Sequence, residues 1–148
     1  MMRALATTSL VAIAQLLGTT LAPTLDAQVT EPPSVTETAF ELEDGSAMLY
    51  GISLPAGYDG SSDSLRPLIL ALHPGGRSPY YGSWFMQSIV EPALRDWEAV
   101  IVAPDVPDRN WSSTTSERAV LALLDEVLAS HAIDRSQILI TGFSMGGR

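Results

Sequence analysis

The chain has 148 residues, the length of one typical domain. With 46% hydrophobic residues, 17% charged residues and a mean hydropathy of +0.18, it can build an apolar core, which excludes an intrinsically disordered chain. Its net charge is −9, from 17 acidic residues against 8 arginines and no lysine, and this charge disfavours nucleic-acid binding. The absence of cysteine excludes disulfides, thiolate metal ligands and a cysteine nucleophile.

Residues 1–27 have the pattern of a secretory signal peptide. Arg3 gives a positive start, and the apolar stretch 9–22 follows it. This stretch is shorter than the roughly 20 residues that a membrane-spanning helix needs. We therefore predict cleavage after Ala27 and a secreted or periplasmic protein without a stable membrane span. The alternative is a membrane anchor that is never cleaved.

The mature chain is expected to start with a leader and a hairpin. Residues 28–37 contain Pro32-Pro33 and no periodicity, which indicates a disordered leader. A single domain is expected over 38–148. It opens with alternating apolar runs on either side of Asp44-Gly45, a strong signal for an antiparallel hairpin whose two turn residues both have positive φ.

Buried strands and helices then alternate. Continuous apolar runs fit strands covered on both faces, at 67–72, 99–103 and 137–141. Helical spacing covers 84–97, where Pro92 is expected to kink or restart the helix, and 115–130. A capping box of Thr114 and Glu117 is expected to start the second helix. This order predicts an α/β fold whose sheet becomes parallel after the hairpin.

The motif G-x-S-x-G stands directly after the third predicted strand, as Gly142-Phe143-Ser144-Met145-Gly146. In such an elbow the turn from strand to helix is so tight that side chains at the two glycine positions would clash, and the serine hydroxyl is projected off the strand. The motif alone is weak evidence, but a buried strand before it is the context that the elbow requires. We therefore predict Ser144 as a nucleophile.

A second motif, His73-Pro74-Gly75-Gly76, follows the first buried strand. Acyl transfer develops negative charge on the former carbonyl oxygen, and removing one N–H group aimed at that charge costs roughly 3–4 kcal/mol. The residue after the nucleophile, Met145, offers one such N–H. We predict that Gly75 offers the other, because Pro74 has no N–H. The alternative is an ordinary turn that contains glycine.

The segments LPAGYD, PLILALHPGG, VIVAPD and IDRSQILITGFSMGG together resemble the N-terminal half of an α/β-hydrolase-fold serine esterase. The nearest groups are bacterial phospholipase/carboxylesterases, dienelactone hydrolase-like enzymes and secreted polyester depolymerases or feruloyl esterases. The resemblance covers about residues 38–148. It implies Ser144 as nucleophile, the Gly75 and Met145 amides as oxyanion hole, no cofactor, and a small-molecule or polymeric ester as substrate. It also implies that Gly142, Gly146, His73 and Gly76 set the geometry of the elbow and of the loop.

The sequence departs from this family pattern in two respects. Pro74 stands where such enzymes commonly carry glycine, and it stiffens the loop without removing the N–H that follows. The catalytic acid and histidine, which follow the serine in this fold, are not in the chain, because Ser144 is followed only by Met-Gly-Gly-Arg. The expectation is a fragment without esterase activity and of poor solubility, with an exposed strand ending at Thr141.

The remaining side chains that could take part in catalysis or binding are expected to be structural. The two histidines precede Ser144, so we expect His73 to support the loop and His131 to end the long helix. Asp105 follows the second buried strand, where loop bracing or a pocket role is expected. Aromatic side chains after the loop are expected to pack or to line a pocket; they are Tyr80, Tyr81, Trp84 and Phe85. Acidic residues are spread rather than clustered with histidine, so no metal site is predicted.

The leading hypothesis is a secreted serine hydrolase that cleaves carboxylic esters through an acyl-enzyme at Ser144. Two alternatives remain open on the same fold. A prolyl-oligopeptidase-like peptidase usually carries a propeller domain before the hydrolase, and too few residues precede the first strand here. A non-catalytic binding protein would retain the fold without a catalytic triad, because fold does not imply function.

Overall fold

The computed structural model describes residues 32–61 and 63–148. The predicted signal peptide therefore lies outside the described residues. Five strands form one sheet: β1 (Ser34–Glu41), β2 (Ala47–Leu54), β3 (Arg66–Leu72), β4 (Val100–Pro104) and β5 (Ile133–Gly142). Their order across the sheet is β1-β2-β4-β3-β5. The β1–β2 and β2–β4 pairs are antiparallel, whereas β3 runs parallel to both β4 and β5.

The predicted hairpin is present, but its turn differs from the expected one. Only Gly45 has a positive φ, of 81°, whereas Asp44 does not. The N–H of Gly45 donates to the Leu42 carbonyl at 2.9 Å, and the N–H of Leu42 donates to the Ser46 carbonyl at 2.8 Å. This is a three-residue loop with glycine in the left-handed position, the next most common hairpin connection after the two-residue turn.

The first strand begins earlier than the sequence predicts. Residues 34–37 belong to β1 and pair with β2, from Ser34 opposite Leu54 onward. The expected disordered leader over 28–37 is therefore wrong for 34–37. Backbone hydrogen bonds to β2 order this stretch. The sequence did not reveal it because these residues show no strong apolar alternation.

The helical segment between β3 and β4 is broken into short pieces. It contains α1 (Tyr81–Phe85), a π-helical turn (Met86–Val90), α2 (Glu91–Leu94) and a 3₁₀ turn (Arg95–Trp97). The wide turn ends at Val90, two residues before Pro92, which has no N–H to continue an α-helical ladder. The predicted disturbance at Pro92 is thus present, and the helix begins three residues before the predicted position.

The long helix α3 (Thr114–Ser130) begins at a different cap from the predicted one. Ser113 is the N-cap, and its hydroxyl accepts the N–H of Ser116 at 3.2 Å. Thr114 is already the first helical residue, so the capping box predicted for Thr114 and Glu117 is wrong by one position.

Helices cover both faces of the sheet, and alternate strand residues point to each. Ala119, Leu123 and Val127 of α3 pack on one face, in a cluster that includes Leu68. Phe85, Met86 and Val90 pack on the other, in a cluster that includes Ile69 and Ala71. Within 32–61 and 63–148, no helix is long and apolar enough to cross a membrane.

The strand β5 lies at the edge of the sheet and is poorly covered. Its residues Ile138 and Ile140 are 38% and 61% exposed. They pair with Leu68 and Leu70, which are buried in the middle of β3. This part of the sheet therefore has an open apolar face, as expected for the strand that ends at Thr141.

Candidate active site

The chain makes a tight turn after β5, and Ser144 stands at its apex. Phe143 still has extended backbone angles, and Ser144, the first residue of a 3₁₀ turn (Ser144–Gly147), then takes a left-handed φ of 53°. A left-handed backbone is unfavourable for a residue with a side chain, by roughly 1–2 kcal/mol. Ser144 is exposed, so the turn presents its hydroxyl to solvent at the carboxyl end of the strand.

Two glycines make this turn sterically possible. A Cβ atom on Gly142 would lie 2.1 Å from the carbonyl oxygen of Gly146. A Cβ atom on Gly146 would lie 2.0 Å from the carbonyl oxygen of Leu72, the last residue of β3. The backbone therefore folds onto itself and onto β3 at distances that only glycine allows, and this is the steric reason for the spacing in G-x-S-x-G.

The same contacts bring the Ser144 turn beside the loop that follows β3. Gly146 lies within contact distance of the carbonyl groups of Leu72 and His73, where that loop begins. Gly75 is exposed, and nothing lies within 4 Å of a Cβ atom built on it. Gly76 instead lies under the Tyr81 ring, 2.4 Å from such a Cβ atom. The two predicted motifs thus meet at one edge of the sheet.

His73 is buried, and both of its ring nitrogens form hydrogen bonds with backbone groups. Its Nε2 accepts the N–H of Val106 at 3.1 Å, which assigns the ring proton to Nδ1, 2.5 Å from the Pro74 carbonyl. Burial lowers the pKa of His73 below its usual value, and the Pro74 hydrogen bond and the Asp105 charge only partly oppose this. Trp111 donates its indole N–H to the His73 carbonyl at 2.9 Å. His73 is therefore a neutral structural side chain.

Asp105, directly after β4, holds the other end of the loop. Its Oδ2 accepts the N–H of Tyr80 and its Oδ1 accepts the N–H of Gly82, both at 2.7 Å. Tyr80 has a left-handed φ of 56°, so this carboxylate binds a strained piece of backbone. The sequence indicated loop bracing or a pocket role for Asp105 but did not identify its partners, because they lie 23 and 25 residues earlier in the chain.

A small polar cavity lies between this loop and the segment after β4. Its volume is about 180 Å³, and it is lined by His73, Gly76, Arg77, Ser78, Asp105, Val106, Pro107 and Asp108. A larger cavity of about 540 Å³ lies between the hairpin turn and α3 and contains none of the predicted site residues. In the described residues, no group of three or more histidine and acidic side chains is placed to hold a metal ion.

The aromatic residues after the loop have different environments. The Phe85 ring is buried, whereas Trp84 is 50% exposed. The rings of Tyr81 and Trp84 stack with centroids 5.2 Å apart, and Tyr81 meets His73 edge-on at 5.0 Å. Packing against the loop, rather than a closed aromatic pocket, accounts for these contacts.

His131 lies far from Ser144. It stands at the start of the segment leading into β5, whereas Ser144 follows the end of that strand. Ile133 pairs with Arg66 and Gly142 with Leu72, so six residues of β3 separate the two ends, or roughly 20 Å at 3.3 Å per residue. Neither histidine is therefore placed to take a proton from Ser144.

No family model and no curated protein matches the sequence. Several solved structures do match the fold. A thermostable esterase has a TM-score of 0.62 and 24% identity over 76% of this chain and 35% of that chain. The serine hydrolase FphF of Staphylococcus aureus, described as fluorophosphonate-binding, has a TM-score of 0.63 and 18% identity over 79% and 49%. A mutant feruloyl esterase module from Clostridium thermocellum, complexed with sinapinate, has a TM-score of 0.61 and 17% identity over 78% and 47%.

These similarities concern the fold, because every identity lies below 25%. The chain spans 35–49% of the length of the three structures. The described residues therefore form part of an α/β-hydrolase fold, which confirms the fold class predicted from the sequence.

Proposed function

We propose that this chain is the nucleophile-bearing part of an exported serine hydrolase that cleaves carboxylic esters. One observation carries the proposal. Ser144 has a left-handed backbone at an exposed turn directly after a parallel strand. It stands between two glycine positions at which a side chain would clash with neighbouring backbone. Strained backbone of this kind clusters at functional sites. The neighbours described as esterases and serine hydrolases support the same assignment.

The proposed reaction is acyl transfer through the serine oxygen. Ser144 Oγ attacks the ester carbonyl carbon while its proton passes to a base, and the tetrahedral adduct places negative charge on the former carbonyl oxygen. Collapse of the adduct breaks the ester C–O bond, and the alcohol leaves with the proton. Water then attacks the acyl-enzyme, releasing the acid and restoring the hydroxyl.

The proposed oxyanion donors are the N–H groups of Gly75 and Met145. Neither donates a hydrogen bond to another described residue. The open space around Gly75 supports this role, since an ester oxygen needs room to approach the amide. Each donor of this kind contributes roughly 3–4 kcal/mol to transition-state stabilisation.

The base and its orienting acid are proposed to come from outside these 148 residues. Both ring nitrogens of His73 are hydrogen-bonded within the loop. His131 lies at the opposite end of β5. A serine hydroxyl without a base within hydrogen-bond reach is a weak nucleophile. The 148-residue chain alone is therefore expected not to turn over an aryl acetate.

The test is covalent labelling of the full-length protein with a fluorophosphonate probe. We expect one adduct, located on Ser144 by peptide mass spectrometry, and no adduct in the S144A variant. The matched control is S88A, which removes another exposed serine hydroxyl and should be labelled like the wild type. Labelling that persists in S144A would contradict the assignment, as would aryl acetate turnover by the 148-residue chain. A mature N-terminus at Gln28 would support export, and a retained N-terminus would oppose it.

A further inference from the structure

We propose that Asp105 is a positioning residue for the oxyanion loop, defined here as residues 73–80. Its carboxylate fixes the far end of the loop and thereby sets the direction of the Gly75 N–H. The inference rests on the proposed function, in which that N–H stabilises the oxyanion. Asp105 itself would not touch the substrate.

The contacts of Asp105 are strong and specific to the backbone. Each carboxylate oxygen accepts one N–H, from Tyr80 and from Gly82, at 2.7 Å. Hydrogen bonds to an ionised carboxylate are about twice as strong as those between neutral groups. They hold Tyr80 at a φ of 56°, a conformation that a residue with a side chain leaves when nothing retains it. Gly82 packs so tightly on β4 that a Cβ atom would lie 2.4 Å from the Pro104 carbonyl.

The beginning of the loop is held by the same segment of chain. His73 accepts the Val106 N–H on its ring and the Trp111 indole N–H on its carbonyl. Both ends of the loop are therefore attached to residues 105–111, which connect β4 to α3. Between these attachments, the N–H groups of Gly75, Gly76 and Arg77 have no hydrogen-bond acceptor among the described residues. The middle of the loop takes its position from its two ends.

The position of the loop matters because the transition state demands accurate geometry. A displacement of about 1 Å at a reacting group can cost about a hundredfold in rate. Substrate binding before the reaction makes little use of the oxyanion donors, so loss of their alignment lowers kcat more than it raises KM. This pattern separates a positioning role from a purely structural one.

The experiment compares D105N with D108N in the full-length protein. Asparagine keeps the shape of Asp105, but its NH₂ group cannot accept a hydrogen bond, so the N–H of either Tyr80 or Gly82 loses its acceptor. Asp108 lines the same cavity and forms no ion pair within 32–61 and 63–148, so D108N removes the same charge without removing a loop contact. Activity on 4-nitrophenyl acetate is expressed per Ser144 labelled by fluorophosphonate, which removes unfolded molecules from the comparison.

We expect D105N to lower kcat by about 10- to 100-fold with KM changed by less than about threefold. Binding of an alkylboronic acid, whose serine adduct mimics the tetrahedral intermediate, should weaken by the same factor as kcat. Backbone amides over 80–82, where Asp105 accepts two N–H groups, should exchange hydrogen faster in D105N. D108N should match the wild type in all three measurements. A wild-type kcat in D105N, or an equal loss in D108N, would overturn the proposal.

Failure of the proposed function would look different. In that case the wild type itself would not be labelled at Ser144. Hydrogen exchange would then decide alone: faster exchange over 80–82 in D105N upholds the holding role of Asp105, and unchanged exchange overturns it.

Discussion

Ser144 keeps its strained backbone because the residues around it leave no alternative. Such strain persists only where surrounding structure determines the conformation. Here Gly142 lies against Gly146, and Gly146 lies against the end of β3. The serine is fixed from both sides without any hydrogen bond to its own side chain among the described residues, so its hydroxyl stays free to react.

This arrangement predicts a large effect of a single methyl group. In the variant G146A, the new Cβ would stand 2.0 Å from the Leu72 carbonyl oxygen, so the turn or the end of β3 must move. We expect the free energy of unfolding to fall by about 1–3 kcal/mol. Labelling of Ser144 by a fluorophosphonate should slow by at least about tenfold. Denaturant unfolding and labelling kinetics on the full-length protein measure the two effects.

The adjacent glycine provides the control for that variant. In G147A the nearest atom, the Gly142 carbonyl oxygen, would lie 3.3 Å from the new Cβ, so a shift of a few tenths of an ångström accommodates it. G147A should therefore lose less than about 1 kcal/mol and keep its labelling rate within about threefold. Equal effects of the two substitutions would show that backbone freedom, rather than the contact with β3, governs the turn.

Among single residues, the sequence revealed those whose conformation is constrained by residues nearby in the chain. The clash that demands Gly142 is with Gly146, four residues later, so a short motif records it. The clash that demands Gly146 is with the Leu72 carbonyl on β3, and only the folded chain explains it. Asp105 and Tyr80 instead meet across 25 residues, and a left-handed tyrosine has no sequence signature of its own. The structural role expected for His73 fits its burial, but Val106 and Trp111 are partners that only the folded chain identifies.

Among the elements, α3 offers the clearest energetic test. Its N-cap is Ser113, whose hydroxyl accepts the N–H of Ser116, whereas the sequence pattern pointed to Thr114. We expect S113A to lower the free energy of unfolding by about 1 kcal/mol, because one orphan N–H of the first turn loses its acceptor. T114A should change it by less than about 0.5 kcal/mol, because Thr114 is an exposed first-turn residue.

Denaturant unfolding of the two variants measures this difference. If T114A were as destabilising as S113A, the helix would begin one residue later than the structure shows. The two residues are adjacent and of similar size, so the comparison isolates the cap.

Element positions were predictable where burial imposes a pattern. The apolar runs of β3 and β4 were located to within one residue, since strands covered on both faces are apolar throughout. The start of β5 was missed because residues 134–137 are polar and form a register irregularity opposite Arg66–Leu68. The π-helical turn before Pro92 was also missed, although proline signalled a disturbance there.

At the scale of the whole molecule, the sheet joins the two motifs that the sequence shows far apart. Parallel strands place their carboxyl ends at one edge, so the loop after β3 and the turn after β5 meet because the two strands are neighbours. Alternation of strands and helices predicted the fold class. The order β1-β2-β4-β3-β5 could not be predicted in the same way, because similar apolar runs do not indicate which strands pair with each other.

The sheet is asymmetric in its coverage, and this determines how the 148-residue chain should behave in solution. The two edge strands are β1 and β5, and in the described part of the chain only β5 of these two has exposed large apolar side chains, with Ile140 61% exposed. An apolar edge strand offers free backbone groups to a second chain. We expect the 148-residue chain to associate with rising concentration, and the variant I140K to shift it towards the monomer, because a charged side chain on an edge strand opposes strand pairing.

The matched control replaces an apolar side chain of similar exposure away from the edge. Leu121 on α3 is 53% exposed, so L121K adds the same charge and removes a similar apolar area. Sedimentation velocity at several concentrations should show L121K associating like the wild type, with circular dichroism confirming that each variant is folded. If L121K and I140K dissociated the chain equally, general surface hydrophobicity would drive association. A monomeric wild type would mean that the β5 edge is protected by its own twist and by the polar residues 134–137 that precede Ile138.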